Sequence, residues 1–228
     1  KKTVWNKNQK TFPVVGIGAS AGGLEAYKEL LKHLPDKTNM AYVLVTHLER
    51  HHKSMLGELI QTKTKMKVCE AKNNTKIQPN NVYIIPPNNY MVVKKDKLKL
   101  STYKKNNRVH MPINHFFESL AKDYTNKAIG VVLSGNADDG TDGLKAIKLK
   151  GGITFAQDEK EALFKGMPQN AIRSGFVDYI LPIKGIAHKL PKINSSSTTS
   201  TSESLEPTQL TENHLNKIFS LLRLKTGI

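Results

Sequence analysis

Phe12 to Gly23, FPVVGIGASAGG, narrows the choice of folds sharply: an apolar run breaks straight into small residues and then into a helical repeat. Val14-Val15-Gly16-Ile17 reads as a short buried strand, and Leu24, Tyr27, Leu30 and Leu31 recur at helical spacing behind it. A strand, tight turn and helix in immediate succession lift one side chain onto the C-terminal edge of a sheet. Only Ser20 in that turn has chemistry to offer. Gly18-x-Ser20-x-Gly22 matches a nucleophile elbow, in which glycines allow the sharp turn and leave the hydroxyl exposed. The helix start supplies unpaired N–H groups for an oxyanion. Two other readings stay open from this stretch alone. Gly16-x-Gly18 with Gly22 is one residue off a dinucleotide fingerprint, and a turn of small residues can simply pack.

The rest of the chain repeats the theme. Ala41 to Val45 is a second apolar strand and ends in Thr46-His47. Met55, Leu56, Leu59 and Ile60 suggest a helix, Val68 to Glu70 a short strand, and Val82 to Ile85 another strand after the turn Gln78 to Asn81. Met91 to Val93 and Leu98 to Leu100, about Asp96-Lys97, read as a β-hairpin. Pro112 opens a helix carrying Phe116, Phe117 and Leu120. Ala128 to Leu133 is a third strongly apolar strand, which runs into Ser134-Gly135-Asn136-Ala137-Asp138-Asp139-Gly140 and a helix from Thr141. Strands at Ile153 to Ala156 and Val177 to Ile180, with a helix near Met167 between them and a closing helix from Pro182 to Leu190, complete the pattern. The class expected is α/β: a doubly wound, mostly parallel sheet with a β-hairpin accessory.

Boundaries follow composition. Residues 1–11 read as a flexible basic lead-in, 12–192 as the folded domain and 193–209 as a Ser/Thr-rich linker. Residues 210–228 carry a short amphipathic helix with Leu215, Ile218, Phe219 and Leu222 on one face. The chain opens on Lys1 and reads as a piece of a longer protein. One cysteine, Cys69, excludes an internal disulfide framework and fits a reducing, cytoplasmic setting. No run approaches the roughly 20 apolar residues of a membrane span. A net charge of +16 raises nucleic acid as a partner. The lysines are scattered, however, without stacking aromatics among them, so a solvated surface that steers an acidic protein partner is the reading preferred. In the run from His47 to His52 the acid, Glu49, is one residue away from its place in the zinc helix H-E-x-x-H, and the segment leaves a strand instead of occupying a helix, so no metal is expected.

Three strand ends thus deliver Ser20, His47 and an acid from Asp138-Asp139 to one sheet edge. A serine hydroxyl needs a base within hydrogen-bond reach, and the base needs a carboxylate to fix its tautomer. The chain order Ser, His, Asp differs from the α/β-hydrolases, where the acid precedes the histidine. The segments FPVVGIGASAGGLEA, VLVTHLERHHKS, VLSGNADDGTDGL and FAQDEKEALFKGMP, in this order and spacing, resemble the chemotaxis protein-glutamate methylesterases, the CheB catalytic domain. His110-Met111-Pro112-Ile113-Asn114 is similar to that family's segment before its central helix.

The resemblance implies Ser20 as nucleophile, His47 as base and Asp139 as orienting acid, Asp139 because the family's acid directly precedes the glycine, here Gly140. It implies oxyanion and substrate contacts from Ala21, Gly135 and Asn136, and needs neither cofactor nor metal. The substrate class it implies is a signalling protein with methylated glutamates on an acidic helix, with glutamine deamidation as a second activity. This chain departs from the family at Ala21, where Thr or Ser is usual, at Thr46, where Gln is common, and at Asn136, often Met. These departures keep open a non-catalytic docking module within a larger signalling protein. Leu215 to Gly227 is similar to the opening helix of CheR-type methyltransferases, as in fused CheB–CheR sensory proteins.

Overall fold

The computed structural model describes residues 10–46, 55–103 and 110–196. Four expectations fall wholly or partly outside them: the lead-in over residues 1–9, His47 with the histidine run, the Ser/Thr-rich linker from residue 197 on, and the C-terminal helix. Six segments form one parallel sheet with a seventh at its centre. The central strand is β1, Val14–Ala19, flanked by β2, Ala41–Thr46, and by a strand at Ala128–Val132. With β3 at Lys67–Glu70, β4 at Thr75–Lys76, β5 at Asn81–Ile84, β6 at Asn89–Lys94 and β7 at Lys97–Thr102, that strand is β8. Adding β9, Ile153–Gln157, and β10, Tyr179–Leu181, the order is β10-β9-β8-β1-β2-β5-β3. The chain moves outward from β1 in one direction, returns, and moves out in the other. The switch point therefore lies between β1 and β8, the crevice where such sheets bind ligands.

Both faces of the sheet are covered, which is why its strands are continuously apolar instead of alternating. Helices α1 (Gly23–His33), α2 (Leu56–Gln61) and α6 (Ile183–Ser196) pack Leu30, Leu31, Ile60, Ile186 and Leu190 against Val15, Ile17 and Leu44. Helices α3 (Pro112–Tyr124), α4 (Thr141–Leu149) and α5 (Gly166–Arg173) pack Ile113, Phe117, Leu144 and Met167 against Val14, Val43 and Val132 on the other face. Gly16 and Gly18 belong to that second packing. A Cβ on Gly16 would stand 2.8 Å from Phe117 Cε1, and one on Gly18 2.4 Å from Ile113 Cγ2. Space for α3 is therefore reason enough for both glycines, without a dinucleotide.

Four details differ from the sequence reading. The accessory hairpin is part of a three-stranded sheet, β4-β7-β6, because Thr75 and Lys76 pair with β7. Its turn is centred on Lys95-Asp96, one residue earlier than read, with φ of 51° and 59° at the two positions. Helix α6 runs on through Ser196, past Leu190 and into the stretch read as linker, and the compact unit ends at Ser195. The lead-in is anchored at its end: Lys10 Nζ donates to Asp96 Oδ1 at 2.7 Å and to Asp123 Oδ2 at 2.8 Å.

Asp123 closes this clamp by also accepting the N–H groups of Lys95 and Asp96, at 3.0 and 3.2 Å. Burial works against its charge, but Lys10 and the two N–H groups outweigh it and hold the carboxyl below its ordinary value. A depressed carboxylate stabilises the fold above its unfolded value of about 3.9, and that stabilisation is lost as pH falls through the folded value. Asp123→Asn is expected to cost about 1.5–3 kcal/mol at pH 7, the range for hydrogen bonds to charged groups. Urea unfolding of parent and variant at pH 7 and pH 3 checks this. The gap should narrow at the lower pH, and an equal gap at both would exclude the charge as its source.

Candidate active site

Ser20 follows β1 directly, and its position is held from two sides. Its N–H donates to the Ser134 carbonyl at 3.0 Å and its carbonyl accepts the Gly23 N–H at 2.8 Å. Gly22 then takes φ 72°, a left-handed conformation that turns the chain into α1 within two residues of the serine. Thr46 stands beside Ala19 in the β1–β2 register, so β2 ends level with the residue before Ser20. His47 is next in the chain and lies outside the described residues.

The loop after β8 carries both candidate acids. Asp138 is exposed and its carbonyl accepts the Thr141 N–H. Asp139 is only 3% exposed. Its two carboxylate oxygens accept the N–H groups of Ile113, at 3.0 Å, and Asn114, at 2.8 Å, both in the first turn of α3. Asn114 answers in the other direction. Its Oδ1 accepts the N–H groups of Gly140 and Gly143, at 2.9 and 2.8 Å, at the start of α4. Each side chain thus satisfies orphan donors at the other's helix, which locks α3 to α4 and fixes the Asp139 carboxylate.

Ser134 is the residue that the sequence reading passed over. It is 2% exposed and touches three segments. Its Oγ donates to the Ala21 carbonyl at 2.9 Å and accepts the Phe164 N–H at 3.0 Å, while its own N–H donates to Gln157 Oε1 at 2.8 Å. With its carbonyl on the Ser20 N–H, it binds the serine turn, the end of β9 and the loop before α5 into one unit. A polar residue closing an otherwise apolar strand, as Ser134 does in VVLSG, was the available signal.

The three residues expected at the oxyanion and substrate differ in their backbone bonding. The N–H of Gly135 donates to the Phe164 carbonyl at 3.0 Å. What Gly135 contributes is closeness, since a Cβ on it would meet Met167 Sδ at 2.1 Å and Ser20 Cβ at 3.1 Å. No described residue accepts the N–H of Ala21, which follows Ser20 directly, or of Asn136 in the loop after β8. His110 stands in an aromatic cluster, its ring 4.1 Å from that of Tyr103 and 4.9 Å from that of Tyr90. His115 joins the cluster through Tyr90 at 4.8 Å. Among the described residues no group of His, Cys, Asp and Glu is arranged to hold a metal ion, and no helix is long and apolar enough to cross a membrane.

Residues 15–190 match the family model described as CheB methylesterase. A Leptospira interrogans protein, provisionally named protein-glutamate methylesterase/protein-glutamine glutaminase, is 32% identical over 187 residues, covering 82% of this chain and 97% of its own. The protein-glutamate methylesterase/protein-glutamine glutaminase of the group 3 operon of Rhizobium meliloti is 32% identical over 181 residues. That match takes in 79% of this chain but only 51% of the relative, so the chain spans about half of that protein's length. The crystal structure of the Thermotoga maritima CheB methylesterase catalytic domain aligns with a TM-score of 0.74 at 28% identity, over 81% of this chain and 100% of that one.

Proposed function

The chain belongs to the CheB methylesterase family, and from that premise we propose that it is a serine hydrolase removing methyl esters from glutamate side chains of a signalling protein. Ser20 is the nucleophile, His47 the base and Asp139 the acid that orients it. The observation that carries this reading is the pairing of an elbow serine at the β1–β8 switch point with a buried aspartate at the end of the neighbouring strand's loop, its carboxylate fixed by two backbone donors.

In the reaction, Ser20 Oγ attacks the ester carbonyl as His47 takes its proton. The N–H groups of Ala21 and Asn136 receive the negative charge that develops on the carbonyl oxygen. The tetrahedral intermediate expels methoxide, which His47 protonates to methanol. Water, deprotonated by the same histidine, then attacks the acyl-enzyme and releases the glutamate carboxylate and free Ser20. Glutamine deamidation takes the same steps with ammonia leaving, as the relatives' double name describes for them. No step calls for a cofactor.

The substrate we assign is a chemoreceptor-like protein met in the cytoplasm, its methylated glutamates on an acidic helix. The net charge of +16 suits such a partner. Residues 1–11 lead into the hydrolase domain, which extends to about residue 196, and residues 210–228 begin a CheR-type methyltransferase segment. Methanol release from a methylated acidic helical protein tests the activity. We expect release that is first order in enzyme and absent without it, and a preparation that yields neither methanol nor ammonia would leave the docking-module reading in its place.

A further inference from the structure

Five large apolar side chains are exposed among the described residues: Met55, Leu149, Leu163, Phe164 and Ile180. Two of them, Leu163 at 73% and Phe164 at 38% exposure, are adjacent and lie over the serine turn. A Cβ on Gly22 would stand 3.2 Å from Phe164 Cδ2 and 3.3 Å from Leu163 Cδ2, so both side chains line the surface two residues beyond Ser20. Their loop is held in place. The Phe164 N–H is on Ser134 Oγ, its carbonyl takes the Gly135 N–H, and Met167 N–H donates to the Gly135 carbonyl at 2.9 Å. Ala162 beside them is buried. A loop this firmly bonded presents two adjacent apolar side chains outward at a fixed place beside the serine turn.

We propose that Leu163 and Phe164 form an apolar lip that receives the substrate helix, taking an apolar side chain one turn away from the glutamate whose ester reaches Ser20. This rests on the hydrolase reading above. On a helix, residues three and four positions from the target lie about 5–6 Å from it between Cβ atoms. A glutamate extended into the elbow therefore brings its own neighbours down onto the ground that Leu163 and Phe164 occupy. Lys165, exposed and next in the chain, suits the acidic helix assigned above as the substrate. The lip explains how one serine turn distinguishes a glutamate ester on a helix from any other accessible ester.

The test compares two esters on the same enzyme: a methylated helical protein followed by methanol release, and the small aryl ester p-nitrophenyl acetate, which cannot span the lip. Leu163→Ser is expected to lower the ratio of kcat/KM for the helical substrate over the aryl ester by about tenfold, the order expected for losing one leucine contact from water-excluded surface. The loss should fall on KM, and Leu163→Met should restore the ratio. An unchanged ratio in an active variant overturns the lip alone, as does an equal loss on both esters, which would make the loop structural. A parent inert toward both esters removes the hydrolase reading and the lip with it.

Discussion

Asp139→Asn is expected to reduce kcat by about 10⁴, the loss that an amide in place of the orienting aspartate produces in a serine protease by holding the histidine in the wrong tautomer. The surroundings of Asp139 add a second, smaller effect. Each carboxylate oxygen accepts a backbone N–H, from Ile113 and from Asn114. An amide has one oxygen, so its NH₂ group is forced against one of those donors. The unmet bond should cost about 1–3 kcal/mol. Against a total stability of about 5–15 kcal/mol the variant stays folded, so the lost activity is readable as chemistry. Asp138→Asn is the matched control. Asp138 is exposed, and a surface change of this kind usually stays within about 0.5 kcal/mol. Steady-state kinetics on both variants, with thermal melts alongside, decide the assignment. Full activity in Asp139→Asn together with its loss in Asp138→Asn would reverse it.

The parts of this molecule that the chain's pattern announces are those whose physics is local. Strands β1, β2 and β8 are buried on both faces, so each is a continuous apolar run ending where the sheet meets the solvent. The serine turn is legible because Gly22 must reach a positive φ and the helix repeat starts at once. Where partners come from far away, the pattern falls silent. Ser134 looks like an ordinary strand end until its Oγ meets Ala21, 113 residues earlier in the chain. Asn114 is a polar residue at a helix start until Gly140 and Gly143 arrive against it. The bond from the Gly135 N–H is equally hidden, since the Phe164 carbonyl that accepts it lies 29 residues on. The two-residue strand Thr75-Lys76 carries no period, and the hairpin turn uses Lys95 and Asp96 where Asn-Gly would have been the cue. Gly16 and Gly18 left a dinucleotide open because the side chains that fill the space above them, Phe117 and Ile113, lie about a hundred residues downstream.

The central claim is that Ser20 is an activated nucleophile and not merely a small residue in a tight turn. Its side chain is replaceable without harm to the elbow, since the bonds that hold the turn run from its backbone to Ser134 and Gly23. Ser20→Ala is therefore expected to fold as the parent does. Activation by a base is what separates this hydroxyl from the many others on the surface, and an electrophile that reacts only with activated serines reads it out. The measurement is labelling by a fluorophosphonate probe, with the modified residue located by peptide mass spectrometry. The account predicts one modification, on Ser20 in the parent, absent from Ser20→Ala and strongly reduced in Asp139→Asn. Labelling elsewhere in the chain, or a folded parent that resists the probe at Ser20, would contradict it.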